Sequence, residues 1–264
     1  MSTLLNITPQ QNITIDPSND FRNLGTAKTL SGKTYVLVLF VSQQGQSEWD
    51  KTEKTAIMKK VTQATHWISN KTKKFGKNNH FVVYSLGKKN DIKLRYIPRG
   101  PYEKLYSNDV IHQAMTAAGY EPGFDFFDYT RQKTSCDNCV VLVISNTNGL
   151  SYALPQSREM YTKNIGSGCK PHQLEGCVLY KRYNNDQNIA SPTIAHEILH
   201  LFGAKDLYGF KGDKQKDDKA AKHFPNSIMR RVNYTFDKLE IDPVTAYLTG
   251  LNDNLNEWYW QFIF

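Results

Sequence analysis

Residues 191–202 read Ser-Pro-Thr-Ile-Ala-His-Glu-Ile-Leu-His-Leu-Phe, and this stretch constrains the fold more than any other. As a helix, it distributes Ile194, Ala195, Ile198, Leu199 and Leu201 around its circumference instead of along one stripe, so it belongs inside a core. It nevertheless carries His196, Glu197 and His200. Burying two imidazoles and a carboxyl is costly unless something binds them. His196 and His200 are four residues apart and project from one helix face. Two imidazole nitrogens so placed can hold one Zn²⁺ at about 2.0–2.1 Å each. Glu197, next to the first histidine, then faces a metal-activated water as its general base instead of binding the metal itself.

The rest of the chain reads as α+β, a mixed α/β domain with a twisted sheet, a long backing helix, the helix at 191–202 and a C-terminal helix. Residues 35–41 are apolar and β-branched, as in a buried strand. Residues 47–75 place Ala56, Ile57, Val61, Ala64, Trp67 and Ile68 at helical spacing, with start signals at Ser47 and Asp50 and a stop at Gly76. Further strands are expected at 81–86, 92–97, 140–145 and 177–183, and further helices at 108–118 and 243–251. Residues 209–219 read as a loop, and the Lys/Asp-rich run 211–222 as a solvated one. Residues 1–30 read as a partly ordered N-terminal extension, and 31–264 as one domain, a length that suits a single large unit.

With 39% hydrophobic and 12% aromatic residues the chain can build a substantial core, which excludes a disordered protein. No run approaches the ~20 apolar residues of a membrane span. The net charge is +8, but it is dispersed over sites such as Lys59, Lys60, Lys88 and Lys89. Without an arginine-rich arm or an aromatic RNA-binding signature, this reads as a solvated basic surface, not a nucleic-acid site. The first twenty residues lack the basic and apolar regions of a secretory signal. Cys136, Cys139, Cys169 and Cys177 form an even set that fits two disulfides, with three connectivities open and Cys169–Cys177 closing a loop near the helix. Cys136-x-x-Cys139 leads into a strand, whereas a redox pair usually opens a helix. The expected setting is extracellular, or inside a target cell after delivery. A monomer is expected.

Beyond the histidines, Gly203 permits a sharp turn through positive φ. Asp206 follows three residues later, and Asn226-Ser227-Ile228-Met229 reads as a tight apolar turn. The run His196-Glu197-x-x-His200-x-x-Gly203-x-x-Asp206 resembles the extended zinc motif of the metzincin metallopeptidases, in the variant with Asp for the third His, as in the snapalysins. Ser227-Ile228-Met229 looks like their Met-turn. The resemblance covers residues 191–232. It implies that His196, His200 and Asp206 hold the zinc, that Glu197 is the general base, and that Met229 lies beneath the metal without binding it. It also implies that residues 148–153 lead into or form an edge strand that aligns a substrate backbone.

Where many metzincins carry Tyr two residues after the Met, this chain has Arg231. That leaves Tyr208 and Tyr234 as candidates for stabilising the transition state. The run 203–209 is also similar to the corresponding phrase of the aspzincins, and the longer motif to immune-inhibitor-A-type peptidases. Asp237 and Glu240 are the alternatives to Asp206 as third ligand. Arg230 and Arg231, beside the expected substrate pocket, favour acidic side chains. The activity implied is a zinc endopeptidase acting on a protein or peptide. The alternative is a silent binding module on the same scaffold, against which the intact Glu197 argues.

Overall fold

The computed structural model describes residues 25–103, 110–121, 125–155, 175–183, 187–231 and 233–263. Its centre is the strand β1 (Gly32–Gln43), in which seven consecutive residues from Val36 to Ser42 are fully buried. Val36, Val38 and Phe40 face one apolar layer, and Leu37, Leu39 and Val41 the other. A strand covered on both faces has no polar side to show, which is why its sequence is continuously apolar. β4 (Asn138–Asn148) and β6 (Gly176–Arg182) repeat the pattern. With β2 (Asn79–Leu86) and β5 (Tyr152–Leu154) they form a sheet ordered β2-β1-β4-β6-β5, and the short β3 (Ile92–Leu94) also pairs with β1. Every pairing is parallel except that of β5, which runs antiparallel along β6 at the sheet edge. The molecule is therefore a mixed α/β structure with a mostly parallel sheet.

Helix α1 (Lys51–Thr72) covers one face through Ile57, Val61, Ala64, Trp67 and Ile68. Asp50 and Glu53 close a reciprocal capping box at its start (Glu53 N–H to Asp50 Oδ1, 2.8 Å), and Gly76, at φ 69°, follows the short 3-10 turn that ends it. The helix α4 (Ser191–Leu201) packs beside α1 on that same face, between it and β5 and β6. The opposite face is covered by α2 (Val110–Ala117) and α3 (Phe126–Thr134). α6 (Pro243–Leu248) adds Val244 and Ala246 to the α1 side. Among the described residues no helix is long and apolar enough to cross a membrane.

The structure corrects several expectations. Residues 25–30 belong to the domain: Leu30 is fully buried, the Ala27 N–H donates to the Glu175 carboxylate (2.7 Å), and Thr26 and Leu30 bond to Cys139 and Thr249. The expected strand 92–97 stops at Leu94. The run read as a solvated loop contains α5 (Lys214–His223), capped by Asp213 and carrying a Lys214–Asp218 pair at 2.7 Å. Only Ala220 of α5 is buried, so its sequence shows no apolar periodicity. α3 and the 3-10 turn Glu257–Phe262 had no counterpart in the sequence reading.

The expected disulfides do not appear among the described residues. Cys136, Cys139 and Cys177 are buried free thiols. Cys139 and Cys177 lie in apolar layers on opposite faces of the sheet, which prevents their pairing. Burial pushes both of those thiols well above the ordinary value, which suits inert core residues. Cys169, its proposed loop with Cys177, and residues 1–24 lie outside the described residues.

Candidate metal centre

Helix α4 is buried on almost every side, as its composition requires, and only His196 and His200 within it are partly exposed. Gly203, at φ 98°, ends it. The Gly203 N–H donates to the His200 carbonyl (3.0 Å) and the Ala204 N–H to that of Leu199 (3.1 Å). The turn places the Ala204 carbonyl 2.8 Å from His200 Nδ1 and carries the chain back to Asp206. A Cβ on residue 203 would lie 3.0 Å from the Leu248 carbonyl oxygen, besides adopting a strained φ. Gly203→Ala is therefore expected to destabilise the protein by about 1–3 kcal/mol. An unchanged thermal midpoint would refute that cost.

His196 Nδ1 is held the same way, 3.0 Å from the Ile228 carbonyl oxygen. Each imidazole thus donates its Nδ1 proton to a backbone carbonyl, a contact that selects the tautomer with a bare Nε2. The two Nε2 atoms lie 3.0 Å apart, and Asp206 Oδ1 lies 3.2 Å and 3.3 Å from them. That buried oxygen has the two imidazole nitrogens as its close polar neighbours. Three electron-pair donors meeting in this way repel each other unless a cation sits among them. Tetrahedral bonds of about 2.0–2.1 Å to zinc separate neighbouring ligands by about 3.3 Å, so the spacing suits that ion.

The charges of the site agree with this. Burial opposes ionisation of His200, but the Asp206 carboxylate and Glu197 outweigh it and raise its pKa to about 9. Burial also works against the charge on Asp206, and the two histidines overcome it and hold that carboxyl well below its usual range. A proton shared with His200 is what stabilises this cluster without a metal.

Glu197 is 6% exposed and reaches a cavity of about 590 Å³ shared with all three donors. Burial raises its pKa, opposed by the histidines and reinforced by Asp206. Tyr208 also lines the cavity, its ring stacked 6.5 Å from His196. Burial, then the charges of Asp206 and Glu197, push its hydroxyl well above the ordinary range. Tyr234 is 53% exposed and does not line the cavity. Met229 is fully buried in the same apolar core as the inner residues of α4.

Of the two arginines, Arg231 lines the cavity, whereas Arg230 turns toward α5, its Nη2 3.4 Å from the Asp217 carbonyl oxygen. Glu240 pairs with Lys74 on the surface (3.2 Å) and does not line the cavity, and neither does Asp237. Tyr102, Tyr183 and Thr193 also line the cavity and were missed as site residues. Thr193 sits one turn before His196 on α4, so helix spacing could have found it, whereas Tyr102 and Tyr183 come from separate segments that only the fold brings in.

No family model and no curated protein matches this chain.

The two arginines are separable by experiment. Arg231→Ala is expected to weaken binding of an acidic peptide in the cavity by tenfold or less, roughly the effect of a solvated charge pair. Arg230→Ala should leave such binding alone. Equal binding by wild type and Arg231→Ala would show that Arg231 does not select the cavity's occupant.

Proposed function

We propose that this chain is a zinc-dependent endopeptidase of the metzincin type. One observation carries the reading: three donor atoms at zinc-ligand spacing converge in one cavity with a buried glutamate. His196, His200 and Asp206 would hold the ion. Bound there, Zn²⁺ supplies Lewis acidity, polarising a peptide carbonyl and making a water acidic near neutral pH.

The protein groups do the rest. Glu197, shielded from solvent, takes a proton from the attacking water and delivers it to the leaving amine. No side-chain nucleophile is needed. The Tyr208 hydroxyl remains protonated at working pH, so it can donate a hydrogen bond to the developing oxyanion. The edge strand β5 borders the cleft through Tyr152 and Ala153, and an extended peptide can pair along it.

The test is cleavage of an unfolded protein, with and without a chelator, beside a measurement of bound metal. Cleavage should stop on chelation and return with added Zn²⁺, at one zinc per chain. A chain that binds no zinc would overturn the proposal. A chain that binds zinc tightly and cleaves nothing in a broad peptide library would favour the binding-module alternative.

A further inference from the structure

We infer that Ser227 and Asp242 are positioning residues for the metal site, acting through the backbone of the turn at 227–230. The inference rests on the zinc reading of His196, His200 and Asp206.

The turn closes with the Arg230 N–H donating to the Ser227 carbonyl (3.1 Å). Its two corner carbonyls face the site. That of Ile228 accepts from His196 Nδ1 (3.0 Å), and that of Met229 accepts from the N–H of Leu207 (2.8 Å), the residue after Asp206. Two of the three donors are therefore placed by successive peptide units of one short turn. An error in that turn moves both.

Backbone bonds tie the turn to its surroundings: the Ile228 N–H donates to the Glu240 carbonyl (3.0 Å) and the Ser227 N–H to the Phe224 carbonyl (3.0 Å), contacts that any sequence could make. A further tether depends on side chains. Ser227 Oγ accepts from the Met229 N–H (3.0 Å) and donates to Asp242 Oδ2 (2.6 Å). Asp242 is 6% exposed and Ser227 3%. Asp242 also accepts from the Thr245 N–H (2.9 Å) and the Thr245 hydroxyl (2.5 Å), which fixes it at the start of α6.

If Asp242 served only to cap α6, its bonds to Thr245 would suffice. The bond from Ser227 adds a charge-assisted link across fifteen residues of sequence, from helix start to turn. Donating to a carboxylate also makes Oγ a better acceptor for the Met229 N–H. The chain of contacts runs from α6 through Asp242 and Ser227 to the Met229 peptide, and from there to His196 and Asp206.

Three variants separate positioning from general stability. Ser227→Ala removes the link, and Asp242→Asn removes its negative charge and turns one of the two acceptor oxygens into a donor. Thr245→Val takes a different hydroxyl from the same carboxylate and leaves the link in place. Zinc Kd is measured by competition with a chromogenic chelator, beside the thermal midpoint. Ser227→Ala and Asp242→Asn should weaken zinc binding by roughly 10–100-fold, the usual effect of losing an outer partner of a metal ligand. Thr245→Val should lower the midpoint and keep the wild-type Kd.

Wild-type zinc affinity in both Ser227→Ala and Asp242→Asn would overturn the inference. So would equal weakening by Thr245→Val, which would mark a loss of general stability. Amide exchange on the metal-free protein gives a separate readout. The Leu207 and Met229 amides should exchange faster in Ser227→Ala and Asp242→Asn than in wild type or Thr245→Val. If the wild type binds no zinc, the zinc reading fails, and the exchange result alone decides whether this link holds the turn.

Discussion

Glu197→Gln is expected to lower kcat by roughly 10²–10⁴-fold, the usual contribution of a positioned general acid–base, and to leave bound zinc at one per chain. The side chain is nearly isosteric, so the cavity and the packing of α4 survive. What disappears is the ability to accept a proton. Glu197 is suited to that exchange because burial raises its proton affinity above that of a surface carboxyl. It also lines the same cavity as the three donors without joining their cluster. The expected pattern is a fall in kcat with KM little changed, since a group that acts on the proton in flight contributes little to ground-state binding. Single-turnover cleavage of a fluorogenic peptide, with metal content measured on the same sample, checks both halves. Activity within tenfold of wild type would exclude Glu197 as the base. Loss of the metal together with activity would give Glu197 a structural or ligand role instead.

How much of this was legible in the sequence depended on how local each feature is. The site's core, His196, Glu197, His200, Gly203 and Asp206, lies within eleven consecutive residues, and helix geometry alone sets most of its spacing. The partners that fix the imidazoles were not legible. They are backbone carbonyls of Ile228 and Ala204, and a carbonyl leaves no trace in residue identity. β1 and α1 were readable because burial on both faces, or along one long face, imposes its own pattern. α5 was not, because a helix that buries one alanine has no pattern to show. β5 is three residues long, too short for alternation to register; only the family resemblance pointed to an edge strand near 148–153, and the antiparallel pairing with β6 fixes it at Tyr152–Leu154. The cysteines misled for a related reason. An even count says nothing about which face of a sheet each thiol points to.

Asp206→Ala is expected to weaken zinc binding by more than the roughly 10–100-fold that follows loss of an outer partner, because it removes a directly facing donor and its negative charge. Two imidazoles alone leave a cation with incomplete coordination and no charge compensation. The pH dependence gives this prediction a second signature. Without metal, His200 has a raised pKa of about 9, set against burial by Asp206 and Glu197. A proton therefore occupies the site at neutral pH, and zinc must displace it. Between pH 7 and 9 the wild-type affinity should rise about tenfold per pH unit, because one proton is released for each ion bound, and it should level off above that range. In Asp206→Ala, the main support for the raised value is gone and burial pulls His200 back down. The slope between pH 7 and 9 should then flatten, on top of the lower affinity. Competition titrations from pH 6.5 to 9.5 read both effects. Unchanged affinity with an unchanged slope would mean that Asp206 neither holds the ion nor sets the histidine, and the third ligand would have to be sought elsewhere.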